Sequence, residues 1–423
     1  MGNSLNSVSD AKENLKDHHV RAALQEDKGK ETTLMAWGME DFTQKNNNYI
    51  GVISGLHVNY GKGNEQLKET YIVKLSAPQA TKALRDMVTQ GYKKEILFYQ
   101  ELLPCLNSEL KRVGLNPLLT PECLYANQDS ENSVLILTDL RRKNFKKFPG
   151  KGCLDISHTH LALQELARFH ASSLLLKAAQ GPHFEAKYDF LDTEWYNVTE
   201  DAIAFFIALF DRNIENAVAI LKVLRGDDRV ISWLQKIKSS VYKILEDMMK
   251  RDTAFTTLCH GDCLSNNILF RYDEDGNPSE ALLLDFQIAR RASLVTDLHL
   301  LLNISVYGAD RKKNLEDFLR TYYNSFKQVM EAAGLETPFQ LDELLQEYKN
   351  KTLFGTLWSL AVIPMIASGG ELADWTVSEG RATSEEASGE QASVDSKTSG
   401  KHEEMRARFL PVFDELIDQG IIS

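Results

Sequence analysis

Cys259-His260-Gly261-Asp262-Cys263-Leu264-Ser265-Asn266-Asn267-Ile268-Leu269-Phe270, followed by Leu282-Leu283-Leu284-Asp285-Phe286-Gln287, is the stretch that decides the fold. Asn267 to Tyr272 reads as a short strand and Ala281 to Phe286 as a second. Between them, Asp273-Glu274-Asp275-Gly276-Asn277-Pro278 is turn chemistry, with Asp-Gly supplying a residue that tolerates positive φ. Pairing the strands brings Asn267 and Asp285 to one end of the hairpin, with Asp262 in the loop that enters it. Phosphoryl transfer from ATP asks for this set: a carboxylate beside the attacking hydroxyl, and an amide and a second carboxylate to hold magnesium on the phosphates. A lone His-Gly-Asp reads as well as a turn with a capping aspartate. Asn267 and the Leu-Leu-Asp-Phe strand at this spacing separate the two readings.

Protein kinases carry an arginine between the histidine and the aspartate, and a lysine two residues after the aspartate. Gly261 and Leu264 stand there instead. The pattern His-Gly-Asp-x-x-x-x-Asn with a later Asp-Phe-Gln resembles the aminoglycoside and choline kinase group. Within that group, His260 to Phe270 with Leu284-Asp285-Phe286-Gln287 is most similar to the ecdysteroid kinase-like (CHK kinase-like) family. The resemblance spans residues 40 to 370 and the terminal helix. It implies an α+β, two-lobed protein-kinase-like fold, with a small antiparallel β-sheet lobe and a larger, mostly helical lobe. It also implies ATP- and Mg²⁺-dependent phosphorylation of a hydroxyl on a small molecule, a steroid of the ecdysteroid kind or a hydroxylated xenobiotic. Rival readings are a catalytically inactive nucleotide-binding pseudokinase scaffold and a choline- or aminoglycoside-type kinase. A protein kinase is disfavoured by Gly261 and Leu264.

The upstream half is expected to supply a lysine and a glutamate for the nucleotide phosphates. Glu69 to Leu75 reads as a strand with Lys74 near its end, a position where a lysine is more often simply a surface residue. Glu95, Phe98, Tyr99 and Leu102 recur at i, i+3, i+4 and i+7, which puts Glu95 on the apolar stripe of a helix. A carboxylate facing a core is costly without a partner, and Lys74 is the obvious one. The family resemblance supports the pairing, since Glu95-Ile96-Leu97-Phe98-Tyr99 matches its helix motif. Asn46-Asn47-Asn48-Tyr49-Ile50-Gly51 precedes a strand over Val52 to Tyr60. Its asparagines, Asn48 among them, offer backbone N–H groups to a phosphate, though a plain hairpin turn explains them nearly as well. Ser133 to Leu140 reads as a buried strand ending at Asp139, and the resemblance makes that end the hinge that meets adenine. The basic run Arg141 to Lys147 reads as a solvated loop.

In the mechanism so implied, Lys74 meets the phosphates of ATP and Glu95 orients it. Asn267 and Asp285 hold Mg²⁺, Asp262 accepts or orients the substrate hydroxyl proton, and His260 braces the loop. His170, on an apolar helical face, reads as a satisfied core histidine. Asp297 reads as a brace for the loop or a helix N-cap.

The 423 residues carry a formal net charge of −12, which argues against nucleic acid or an anionic membrane as main partner. The partner expected is a small-molecule alcohol. No segment has the length of apolar chain that a membrane span needs, and no secretory signal opens the chain. Met1-Gly2 starts like a myristoylation signal, but Asn6 stands where that motif wants Ser or Thr. Five scattered cysteines without metal-ligand spacing fit a reducing, cytoplasmic setting. The expected organisation is a polar tail over 1–30 with a short helix (11–26), a nucleotide-binding lobe over 31–140, and a helical lobe over 141–423. Helices are expected near 200–223, 228–250, 311–333 and 342–367. The Ser/Thr/Glu/Gly-rich stretch 376–402 reads as a disordered insertion in the helical lobe.

Overall fold

The computed structural model describes residues 13–41, 51–76, 79, 81–128, 132–150, 152–249, 253–367 and 402–423. Asn48 and the 376–401 part of the expected insertion lie outside the described residues, as do residues 1–12 of the polar tail. The chain divides into two compact units. One comprises Met1–Lys147, Ser172–Ile203 and Leu269–Arg290; the other comprises Phe148–Ala171, Ala204–Ile268 and Arg291–Ser423.

The first unit is built on an antiparallel sheet of β1 (Thr33–Asp41), β2 (Gly51–Lys62), β3 (Glu65–Ser76), β4 (Cys123–Asn127) and β5 (Val134–Thr138), in the order β1-β2-β3-β5-β4. A tight Gly63-Asn64 turn joins β2 to β3, with Gly63 at φ +59° and Lys62 opposite Glu65. Lys74 sits in the middle of the sheet, opposite Ile53 on one side and Leu135 on the other. Strand alternation sends Tyr71, Val73 and Leu75 to one face, where they pack with Val20, Ala23 and Leu24 of the helix Asp17–Lys28. Lys74 therefore projects from the opposite face. That first helix begins at Asp17, later than the sequence pattern suggests. Lys16 is extended there, and the His19 ring accepts its N–H at 3.2 Å.

The helix Lys82–Leu97 starts under a Thr81 side-chain cap and runs into a π-helical turn, Phe98–Leu102, before resuming as Leu103–Arg112. Pro104, just beyond the wide turn, has no N–H to give Gln100 and crowds its carbonyl, which favours such a widening. The expected hairpin forms from Ile268–Tyr272 and Pro278–Leu283, and Lys146–Lys147 adds a third short strand. Its turn is tied by Asp273, whose Oδ1 accepts the N–H groups of Asp275 (3.0 Å) and Asn277 (2.8 Å). The second strand stops at Leu283 rather than Phe286 because Asp285 stands at φ +70°, outside the β region.

The second unit is helical, apart from a two-stranded ribbon of Thr256–Cys259 and Arg290–Ser293. Helices run over Glu200–Leu224 and Gly308–Ala332. The expected 228–250 helix is interrupted by a 3₁₀ turn at Lys238–Ser240, where two serines weaken helix propensity. The expected 342–367 helix is two helices, Leu341–Asn350 and Thr352–Ala367, parted at Lys351. The helix Val295–Ser305 is buried along its whole length. The terminal helix Leu410–Asp418 packs on Thr352–Ala367 and Gly308–Ala332. Among the described residues no helix is long and apolar enough to cross a membrane. All five cysteines are free thiols.

Candidate active site

In the first unit, the amine of Lys74 donates to Glu95 Oε2 at 2.6 Å and to Asp285 Oδ1 at 2.8 Å. Lys74 is 7% exposed and Glu95 1%. The sheet supplies the lysine, the helix Lys82–Leu97 the glutamate, and the residues after the hairpin the aspartate. Burial alone would lower the pKa of the Lys74 ammonium, but the carboxylates of Asp285 and Glu95 outweigh it and hold the pKa well above its usual value. Burial pushes the Glu95 carboxyl up, against the pull of the Lys74 ammonium and of the Phe286 N–H that donates to it.

Asp285 is one of two described non-glycine residues at positive φ, a conformation that persists only where neighbours enforce it. Its other oxygen takes a 3.4 Å bond from Gln287 Nε2. The following Phe286 stacks on Phe98 at 3.8 Å between ring centroids and meets Tyr99 edge-on at 5.9 Å. The apolar stripe that carries Glu95 thus also grips the residue next to Asp285.

In the second unit, the loop after Thr256–Cys259 closes on itself. The Asp262 N–H donates to His260 Nδ1 at 3.2 Å. Asn267 Nδ2 donates to Asp262 Oδ2 at 2.7 Å and to the Asp262 carbonyl at 3.0 Å. Gly261, at φ +86°, makes the turn that a residue with a Cβ would resist. Beneath the loop lies Asp297, fully buried, accepting the N–H of His260 on Oδ2 (2.5 Å) and of Gly261 on Oδ1 (2.9 Å). His170 completes the support. Its Nε2–H donates to Asp297 Oδ2 at 3.1 Å while Nδ1 accepts from the Tyr322 hydroxyl at 2.6 Å. Ser305 Oγ accepts the Ser265 N–H at 2.9 Å.

His260, Asp262 and Asn267 are brought together in this loop, as Lys74, Glu95 and Asp285 are in the other unit. Asp139 ends its strand as expected, and its side chain serves the local backbone. Its carboxylate caps the 3₁₀ turn Leu140–Lys143 and accepts from the Arg141 guanidinium at 2.6 Å, which, against the effect of its burial, keeps the carboxyl below its usual pKa. The basic run is largely paired: Arg142 meets the buried Glu69, and Lys143 lies 3.6 Å from Glu122. At the start of β2, a Cβ on Gly51 would collide with the Tyr92 hydroxyl and the Leu75 carbonyl, which accounts for glycine there.

Asp297 sits inside the helix Val295–Ser305, not at its N-cap, and acts as the brace. The sequence singled out neither Tyr322, Ser305 nor Lys94, whose buried amine is described below. His170, Cys259 and Asp297 lie close enough to suggest a metal centre, but each is committed to the loop or ribbon: Cys259 Sγ donates to the Ala292 carbonyl at 3.4 Å. The Cys263 thiol is pushed well above its usual pKa by burial, so it is not a ready thiolate.

A family model for the ecdysteroid kinase-like family matches residues 45–335. The chain belongs to the ecdysteroid kinase-like family. The family places it among small-molecule kinases. No curated protein matches it in sequence. Among solved structures, it is similar to a Plasmodium vivax ethanolamine kinase at 13% identity, covering 80% of this chain and 78% of that one, with a TM-score of 0.38. A glucosamine kinase is similar at 16% identity, covering 85% of this chain and 82% of that one, with a TM-score of 0.34. These are distant likenesses.

Proposed function

We propose that the protein transfers the γ-phosphoryl group of ATP to a hydroxyl of a small molecule, a steroid alcohol or a hydroxylated xenobiotic. The observation that carries this reading is the buried Lys74 amine bonded to both Glu95 and Asp285. A permanently charged ammonium, oriented by one carboxylate and close to a second, is what nucleotide phosphates and their metal require. Asp285 and Asn267 offer hard oxygen donors, the kind magnesium takes, and these two residues would hold it. When bound, that ion neutralises charge on the phosphates.

The chain's own residues do the rest. Lys74 binds the phosphate oxygens, and Glu95 keeps the amine aimed. Asp262, oriented by the Asn267 amide, takes or orients the proton of the acceptor hydroxyl. His260 serves the loop rather than the substrate, because its Nδ1 is occupied by the Asp262 N–H.

Mass-spectrometric detection of phosphate transfer from ATP–Mg²⁺ to a panel of steroid alcohols and hydroxylated plant compounds tests the reading, with Asp262→Asn beside the wild type. A product heavier by one phosphate, absent with the variant, is the expected result. Nucleotide binding without transfer to any acceptor would favour a scaffold, and no nucleotide binding would overturn the kinase reading.

A further inference from the structure

Lys94 is fully buried, one residue before Glu95 on the helix Lys82–Leu97. Its amine donates to the Ala289 carbonyl at 3.0 Å and to the Thr193 carbonyl. Ordering a lysine side chain in a core is costly in desolvation and rotamer entropy, so its placement calls for a role. Ala289 closes a turn just after Asp285, since its N–H bonds to the Phe286 carbonyl at 3.1 Å.

The same helix touches that turn at every step. Phe98 stacks on Phe286, and the Phe286 N–H helps to hold the Glu95 carboxyl down against its burial. Gly91 faces Gln287, where a Cβ would sit in ordinary contact at 3.6 Å from the Gln287 Cβ, and Lys94 takes Ala289. Residues 91, 94, 95 and 98 form one helical stripe, at i, i+3, i+4 and i+7. The contacts therefore fix Phe286, Gln287 and Ala289 from a single rigid element, right behind the strained Asp285.

We propose that Lys94 is a positioning residue that fixes the Asp285 segment, and so the magnesium-binding carboxylate, in register with Glu95 and Lys74. The proposal rests on the kinase reading above. Lys94 touches neither nucleotide nor metal; it acts through the Ala289 carbonyl on the turn that aims Asp285. Outer-shell supports of metal ligands typically matter by about 10–100-fold in metal affinity. The Thr193 carbonyl extends the anchor to a third segment, where Glu194 lies 3.7 Å from Arg290.

The test is binding of a fluorescent ATP analogue across a magnesium titration, with the Tm of each protein measured alongside. Lys94→Met should bind the analogue at saturating magnesium, but with the half-saturating magnesium concentration raised about tenfold or more. Phe98→Leu, which removes the ring stacking on Phe286 from the same stripe without leaving a buried polar gap, should shift the midpoint the same way. It decides the matter if Lys94→Met does not fold. A lower Tm with an unchanged magnesium midpoint in a folded variant would show a merely structural lysine and overturn the proposal. Wild-type protein that binds no nucleotide with magnesium would overturn the kinase reading instead, so the two failures are distinguishable.

Discussion

Replacing His299 with glutamine should remove an acid-sensitive component from the stability of the helical unit. His299 is fully buried, stacked on Tyr348 at 3.9 Å, with its Nε2–H donating to the Tyr348 carbonyl at 2.8 Å. Burial lowers its pKa to about 4, and the Arg311 and Lys351 cations push the same way. In the unfolded chain the ring regains its ordinary value of about 6.5. Between those values the unfolded state holds a proton that the folded state refuses, so stability falls as pH falls. The contribution is whole above pH ~6.5 and is lost progressively toward pH ~4. A gap of about 2.5 units at about 1.4 kcal/mol each makes the full effect about 3 kcal/mol. Urea unfolding at intervals from pH 7.5 to 4.5 would measure it. The wild type should lose about 2–3 kcal/mol more than His299→Gln across that range, whatever the variant's starting stability. Parallel curves for the two proteins would refute the reasoning, since they would mean that His299 binds its proton equally in both states. The helix that titrates also carries Asp297, so the wild type's acid loss of stability should be accompanied by loss of activity.

Asp262→Asn should reduce phosphate transfer by about 10²–10⁴ if the carboxylate takes the acceptor proton, with nucleotide binding retained in the same preparation. Asp297→Asn turns an amide against one of the loop N–H groups and should cost about 2–3 kcal/mol in unfolding free energy, read by denaturant titration, together with most of the activity. Lys74→Met leaves Glu95 buried beside Asp285 without their shared cation, a loss of about 3–5 kcal/mol with both carboxylates charged. Burial then raises the Glu95 pKa further. A raised folded pKa means stability lost as pH rises through it, so the variant's deficit in Tm should be larger at pH 8.5 than at pH 6.

The parts of the site legible in the sequence were those with two coincident signals. Lys74 alone is a strand residue and Glu95 alone a helix residue. A carboxylate on an apolar stripe demands a cation, and the two do meet, at 2.6 Å. The hairpin was legible because Asp-Gly turn chemistry lies between two short β-prone runs. The backbone at Asp285 was not: a local pattern of Leu-Leu-Asp-Phe reads as continuous strand, and the positive φ goes with tertiary contacts to Asp285, Phe286 and Ala289 that no local pattern shows. Lys94 was hidden for a related reason. Single lysines read as surface, and the acceptors that reward its burial are backbone carbonyls distant in sequence. The breaks at Lys351 and Lys238–Ser240 were missed because an apolar periodicity carries across a one-residue pause or a 3₁₀ turn with little change of phase.

The way Asp297 works bears on the departure from the protein-kinase pattern at Gly261 and Leu264. Its two oxygens accept main-chain N–H groups of residues 260 and 261, so the loop is fixed through its backbone and not through the side chains there. An arginine at 261 is unnecessary to that brace, and the φ of +86° at this residue favours glycine. Downstream, the Leu264 carbonyl accepts the Asn267 N–H at 2.9 Å and its own N–H bonds to the Asp262 carbonyl at 2.8 Å, again without using its side chain. With the backbone carrying the geometry, residues 261 and 264 need not supply a cation to keep Asp262 in place. Asn267 does that from five residues away with one amide shared between the Asp262 carbonyl and carboxylate. A loop held from below by a buried Asp–His–Tyr chain and closed from within by an asparagine thus fixes Asp262 through main-chain and amide contacts, with no call on the side chains at 261 and 264.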